Sequence, residues 1–172
     1  AHIASIGGKV FRSQLIHECG SNRVAECASQ LDADIIINVQ GDEPFISSQA
    51  LSDLITAFEE DVEAKIDLAS LMIPIHSKAD LENPNVVKVV SDKQGRALYF
   101  SRAAIPFMRA QGQAFRHVGI YAFRKAALLD FYAQAPTSLE QAEKIEAIRY
   151  LEMGKVMQML ETDFVGVGID TP

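Results

Sequence analysis

The chain has 172 residues, 48% of them hydrophobic and 23% charged, the make-up of one folded globular domain. Sixteen Lys and Arg (16) against 23 Asp and Glu leave a net charge of −7, which argues against a nucleic-acid partner, since that would want a basic stripe. Two cysteines are too few for a disulfide scaffold, no signal peptide is visible and no apolar run approaches a membrane span, so a reducing cytoplasm and no membrane partner are expected.

Gly7-Gly8-Lys9-Val10-Phe11 reads as a turn entering a short strand, and Ser21 or Asn22 as the cap of a helix carrying Val24, Cys27, Ala28 and Leu31. Asp34 to Val39 is a β-branched run that reads as a strand buried on both faces, the pattern of a parallel sheet covered by helices. It breaks at Gln40-Gly41-Asp42-Glu43-Pro44, polar groups at the carboxyl end of a strand, where open α/β sheets place their ligands. One carboxylate there can hold Mg²⁺ beside substrate phosphates; an acidic loop on a Rossmann-like core is the competing account. Ser47 or Ser48 opens a helix with Leu51, Leu54, Ile55 and Phe58 at i, i+3, i+4, i+7 spacing. Leu68 to Ile75 is a strand, and Asn83-Pro84-Asn85 a loop.

Val86 to Val90 and Arg96 to Ser101 flank Asp92-Lys93-Gln94-Gly95, a β-hairpin signal that suggests a mixed sheet with a subsidiary β element. Phe115 to Phe123 is a further strand, Lys125 to Ala133 and Ser138 to Met153 are helices, and Val156 to Leu160 and Val165 to Ile169 close the pattern. The second helix has Ser138 and Gln141 at capping-box spacing and Gly154 placed as a C-cap. The fold class is α/β.

His117 and Tyr121 alternate with Val118, Ile120 and Ala122, so strand period puts the two polar rings on one face and the aliphatics on the other. A ligand-facing strand would look like this, and so would a hydrogen-bonded structural histidine. Arg102 could clamp a carboxylate or phosphate bidentately, or sit exposed on the surface. Glu140, Glu143 and Glu146, with Arg149 beyond, read as a solvated stripe with i, i+3 ion pairs. Cys19-Gly20-Ser21-Asn22-Arg23 places a glycine before a helix start, where backbone N–H groups could meet a base or phosphate. No G-x-G-x-x-G, P-loop, zinc cluster or G-x-S-x-G elbow is present, which removes dehydrogenases, P-loop NTPases, zinc sites and α/β-hydrolases.

Gly7-Gly8, His17 to Glu26, Asn38 to Pro44, Asn83 to Val90, Ala97 to Arg102, Ile105-Pro106, Arg116 to Tyr121, Ser138 to Glu140 and Gly168 to Pro172 run in order along nearly the whole chain with almost no gaps. In these stretches the chain resembles the 3-deoxy-manno-octulosonate cytidylyltransferase family. The resemblance implies a Rossmann-like nucleotidyltransferase fold, a three-layer sandwich with a mixed sheet and a small β-hairpin dimerisation element, and a homodimer. It implies that CTP and 3-deoxy-D-manno-octulosonate (Kdo) are joined to give CMP-Kdo and pyrophosphate, for lipopolysaccharide biosynthesis. Asp42 and Asp170 would be the catalytic carboxylates that hold Mg²⁺. Gln40, Arg102, His117, Tyr121 and Glu146 would line the sugar-acid pocket, with Arg102 and His117 as partners of its carboxylate. Cys19, Gly20 and Arg23 would lie beside the cytosine.

The chain departs from the family pattern at two residues. Ala147 stands where the family has a glutamine that helps hold the sugar, and Cys19 where it has a serine. Nothing matches the family's Arg-, Gly- and Lys-rich triphosphate loop, so residues 1–172 are expected to be one nucleotidyltransferase domain, incomplete at both ends and inactive alone. Two rivals remain: a cytidylyltransferase for another sugar acid, of sialic-acid or modified-Kdo type, which Ala147 would suit, and a catalytically dead α/β binding module.

Overall fold

A computed structural model describes residues 2–13, 16, 20–41 and 46–163. The helices are α1 (His2–Ser5), α2 (Gly20–Ala28), α3 (Ser48–Glu59), α4 (Lys78–Glu82), α5 (Lys125–Ala133), α6 (Ser138–Glu143) and α7 (Ala147–Glu152). The strands are β1 (Ile35–Asn38), β2 (Leu68–Ile75), β3 (Lys88–Ser91), β4 (Ala97–Ser101), β5 (Ala114–Arg124) and β6 (Met157–Glu161). No described helix is long and apolar enough to cross a membrane.

One six-stranded mixed sheet runs β4-β3-β5-β2-β6, with β1 also paired to β5. The 11-residue β5 is its spine. One edge of β5 is shared, β3 pairing at Phe115 and Arg116 and β1 pairing from Tyr121 to Arg124. The other edge pairs with β2, whose far side takes β6 in parallel. All the other pairings are antiparallel.

Helices cover both faces of the sheet. Ala50, Leu54 and Phe58 of α3 pack on Ala69, Leu71, Ile73, Val118, Ile120 and Ala122. On the opposite face, α2, α5 and α7 bury Leu68, Met72, Tyr121, Phe123, Met157 and Met159. Strand alternation thus separates the aliphatic face of β5 from the face bearing His117 and Tyr121, as its period requires.

Particular elements differ from what the sequence suggests. Val10 and Phe11 form no strand. Helix α2 already includes Gly20, so Ser21 and Asn22 lie inside its first turn and Leu31 beyond its end. Strand β1 pairs antiparallel to β5, and only Ile36 of its four residues is fully buried. The hairpin is not a separate β element, since β3 pairs with β5 and continues the main sheet. Helix α4 follows the cap Ser77, and α3 follows Ser47, each hydroxyl accepting from the backbone N–H three residues on. The expected single helix over 138–153 is broken at Lys144, a non-glycine residue at φ 56°. Its capping box joins Thr137 with Glu140, one position earlier than the Ser138–Gln141 spacing suggests. Gly154, at φ 73°, closes α7 with its N–H on the Leu151 carbonyl. The expected strand Val165 to Ile169 lies outside the described residues.

Candidate active site

The register of β5 against β2 slips between Ser70 and Leu71: Ser70 opposes Tyr121, and Leu71 opposes Val118. The residues bulged out, Gly119 and Ile120, sit where β5 changes partner from β3 to β1. Side chains satisfy the carbonyls that the bulge frees. Ser70 Oγ lies 3.1 Å from Val118 O and 2.7 Å from Ile120 O, and Gln40 Nε2 donates to Gly119 O at 3.1 Å. A Cβ on Gly119 would come within 3.3 Å of Gln40 Nε2, so glycine allows the close approach. Four residues of regular strand span about 13 Å. The bulge shortens that path, and the His117 and Tyr121 rings lie 5.2 Å apart.

Phe100 meets His117 edge-on at 5.1 Å, Tyr121 stacks on Phe123 at 5.6 Å, and the row continues to Tyr150. Burial pushes the His117 imidazole down to about 3, so the ring is neutral near pH 7. Burial, reinforced by the Glu146 carboxylate, raises the Tyr121 hydroxyl well above its usual value. Glu146, between α6 and α7, also accepts a hydrogen bond from Ser21 Oγ of α2 at 2.5 Å. His117, Tyr121, Glu146 and the first turn of α2 therefore form a run of neighbours, and Gln40 is tied to the same stretch of β5 through the Gly119 carbonyl. In that turn Gly20 and Arg23 are exposed, while Asn22 Oδ1 is buried without a hydrogen-bond partner.

Arg102 is occupied differently. Its Nε donates to Glu143 O at 2.7 Å, and its terminal nitrogens reach Pro84 O and Lys144 O. The guanidinium staples the end of β4 to the 83–85 loop and to the break between α6 and α7. Glu143 answers by accepting from Ser101 Oγ and Arg102 N–H. Desolvation alone would raise its carboxyl, but those bonds and the charges of Arg102 and Lys88 hold it below its usual range. Beneath them Lys88 is fully buried, its ammonium donating to the carbonyls of Asn83, Val86 and Arg102. Burial lowers its pKa.

The three glutamates form no solvated stripe. Glu140 is buried and makes a two-point ion pair with buried Arg149, Glu143 holds β4, and Glu146 holds α2. The turn at Lys144 swings them apart.

A family model described as cytidylyltransferase matches residues 1–158. The 3-deoxy-manno-octulosonate cytidylyltransferase of Christiangramia forsetii is 52% identical over 99% of this chain and 70% of its own length. That of Flavobacterium johnsoniae is 52% identical over 98% of this chain and 70% of its own. The chain belongs to the 3-deoxy-manno-octulosonate cytidylyltransferase family. A solved structure of CMP:2-keto-3-deoxy-manno-octonic acid synthetase complexed with CTP superposes with TM-score 0.92 at 36% identity, over 99% of this chain and 70% of that one.

Of the residues that the family resemblance singles out, Asp42, Asp170 and Cys19 lie outside the described residues. Among the described residues, no three His, Cys, Asp or Glu side chains gather in a way that could hold a metal. Ala147 opens α7 and is fully buried in the apolar cluster with Tyr121 and Phe123. Ser70, Lys88 and Glu143 support the site; Ser70 and Lys88 were not singled out in the sequence, and Glu143 was read there only as part of a solvated stripe. A lone Ser in the apolar run Leu68 to Ile75 was the available signal for Ser70. Lys88 and Glu143 carried none, because a strand-end Lys and a helical Glu are ordinarily solvated.

Proposed function

We propose that the chain is the core of an enzyme that joins CTP to Kdo, releasing pyrophosphate. The anomeric hydroxyl oxygen of Kdo attacks the α-phosphorus, the bond to the β-phosphate breaks, pyrophosphate leaves, and the hydroxyl proton is lost to solvent or base. The observation that carries this reading is the Ser21–Glu146 hydrogen bond, which ties the helix expected beside the base to the residues expected around the sugar acid. Two substrates bound on either side of that contact would be held within reach of each other, the main requirement of a displacement between bound partners.

Asp42 and Asp170 are proposed to hold Mg²⁺, which would neutralise the triphosphate and favour ionisation of the attacking hydroxyl. The reading extends to lipopolysaccharide biosynthesis in the cytoplasm and to a homodimer, for which exposed Leu98 on strand β4 at the sheet edge and exposed Phe107 offer apolar surface. Because no Arg- and Lys-rich triphosphate loop occurs within them, residues 1–172 by themselves are proposed to be inactive.

Pyrophosphate release is the test, on the chain expressed with its flanking coding sequence. Release that requires CTP, Mg²⁺ and Kdo together is the expected result. Release with a sialic acid but not Kdo would reassign the acid and make Ala147 a specificity change. Silence with every sugar acid would favour a binding module.

A further inference from the structure

Ser70 is the only polar residue of the β2 run Leu-Ala-Ser-Leu-Met-Ile-Pro-Ile, and it is wholly buried. Its Oγ lies 2.7 Å from Ile120 O, 3.1 Å from Val118 O and 2.8 Å from His117 Nε2. A hydroxyl has one proton and two lone pairs, and carbonyl oxygens only accept. The Ser70 proton must point at the bulge carbonyls, because a lone pair facing Ile120 O at 2.7 Å would be repelled. What Ser70 turns to His117 is then a lone pair, so Nε2 carries the hydrogen and donates it. In the neutral ring Nδ1 is left as a bare acceptor. No described protein group bonds to Nδ1, and it is not among the polar atoms sealed in without a partner. His117 is only partly buried, on the strand face that carries Tyr121, which leaves Nδ1 as the acceptor for a ligand there.

We propose that Ser70 is a positioning residue that fixes His117 as its Nε2–H tautomer, so that Nδ1 accepts a hydrogen bond from a hydroxyl of the sugar acid. The contact with substrate rests on the function proposed above; the tautomer does not. A carboxylate needs a donor, and His117 has already spent its only N–H on Ser70, so the acid group must be held elsewhere. The assignment also gives the bulge a purpose: it supplies the carbonyls that orient the Ser70 hydroxyl, which in turn orients the ring.

Nitrogen NMR of ¹⁵N-histidine-labelled protein, expressed with its flanking sequence and assigned through H117Q, reads this directly. The expected spectrum at pH 7 has a protonated Nε2 and an unprotonated Nδ1. Adding Kdo should move the Nδ1 resonance toward that of a hydrogen-bonded acceptor without protonating it. S70A should mix the tautomers and raise KM for the acid about 10-fold, the loss of one hydrogen bond, with KM for CTP unchanged. S70T, which keeps the hydroxyl, should restore both. An Nδ1–H tautomer in the wild type would overturn the proposal, as would a ring protonated on both nitrogens with Kdo bound. Absence of turnover with the Nε2–H tautomer in place would instead overturn the activity and with it the hydroxyl contact, leaving Ser70's hold on the ring intact.

Discussion

Unfolding returns His117 to water, where an imidazole titrates near 6.5, whereas in the fold burial holds it down to about 3. Between those values the unfolded chain binds the extra proton, so stability rises with pH across that window and is lost as the pH falls. The gap is worth at most roughly 5 kcal/mol. Chemical denaturation at pH 7.5 and pH 4.5 measures it: the wild type should lose clearly more stability between the two than H117Q, and equal losses would contradict a buried neutral ring. A second buried pair answers to a different test. Arg149 and Glu140 meet at two points, and the guanidinium also lies over the Phe131 ring at 3.9 Å. E140Q removes the carboxylate charge from a buried guanidinium that keeps its bonds to the Phe131 and Gln134 carbonyls, and should cost about 3–5 kcal/mol in urea unfolding, and a loss below about 1 kcal/mol would place the pair in contact with water. For the proposed metal carboxylates the readout is turnover: D42N should lower kcat on the order of 100-fold even in excess Mg²⁺, and near-wild-type kcat would remove Asp42 from that role.

The β3–β4 hairpin depends on Gly95, at φ 78°, where a Cβ would lie 3.0 Å from Met159 O and 2.5 Å from Gln158 Nε2. The turn is thus pressed against β6, and Gly95 N–H and Asp92 Oδ1 complete it. G95A should lower the urea midpoint by the equivalent of about 1–3 kcal/mol, through backbone strain and that close contact, and an unchanged midpoint would mean that the turn relaxes freely. This element was legible in the sequence because Asp-Lys-Gln-Gly between two apolar runs leaves the chain little else to do. So was α3, whose Ser47 cap and Leu54 and Phe58 stripe are local signals. The α6–α7 pair was not. A left-handed turn at a lysine has no sequence signature, and once it occurs the i, i+3 spacing of Glu140, Glu143 and Glu146 stops meaning a common face. The partner and direction of β1 were hidden too, since an apolar run tells that a strand is buried but not which way its neighbour runs.

At the scale of the whole molecule, the α/β class and the helix-covered sheet followed from alternating element patterns, while the sheet order did not, because pairing between distant strands leaves no local trace. The same holds for the site. His117 and Tyr121 were readable as one face of a strand, but the bulge that brings their rings within 5.2 Å depends on Ser70, 47 residues away from His117. The Ser21–Glu146 contact spans 125 residues and joins two helical segments packed on the same face of the sheet. If that contact couples the two substrate sites, the chain carries out one reaction with a strict mass balance. The most direct measurement is ³¹P NMR of the protein, expressed with its flanking coding sequence, turning over CTP and Kdo with Mg²⁺. The expected result is loss of CTP matched by equal amounts of pyrophosphate and a CMP ester that carries Kdo. Pyrophosphate accompanied by free CMP, or no consumption of CTP when Kdo is added, would contradict it.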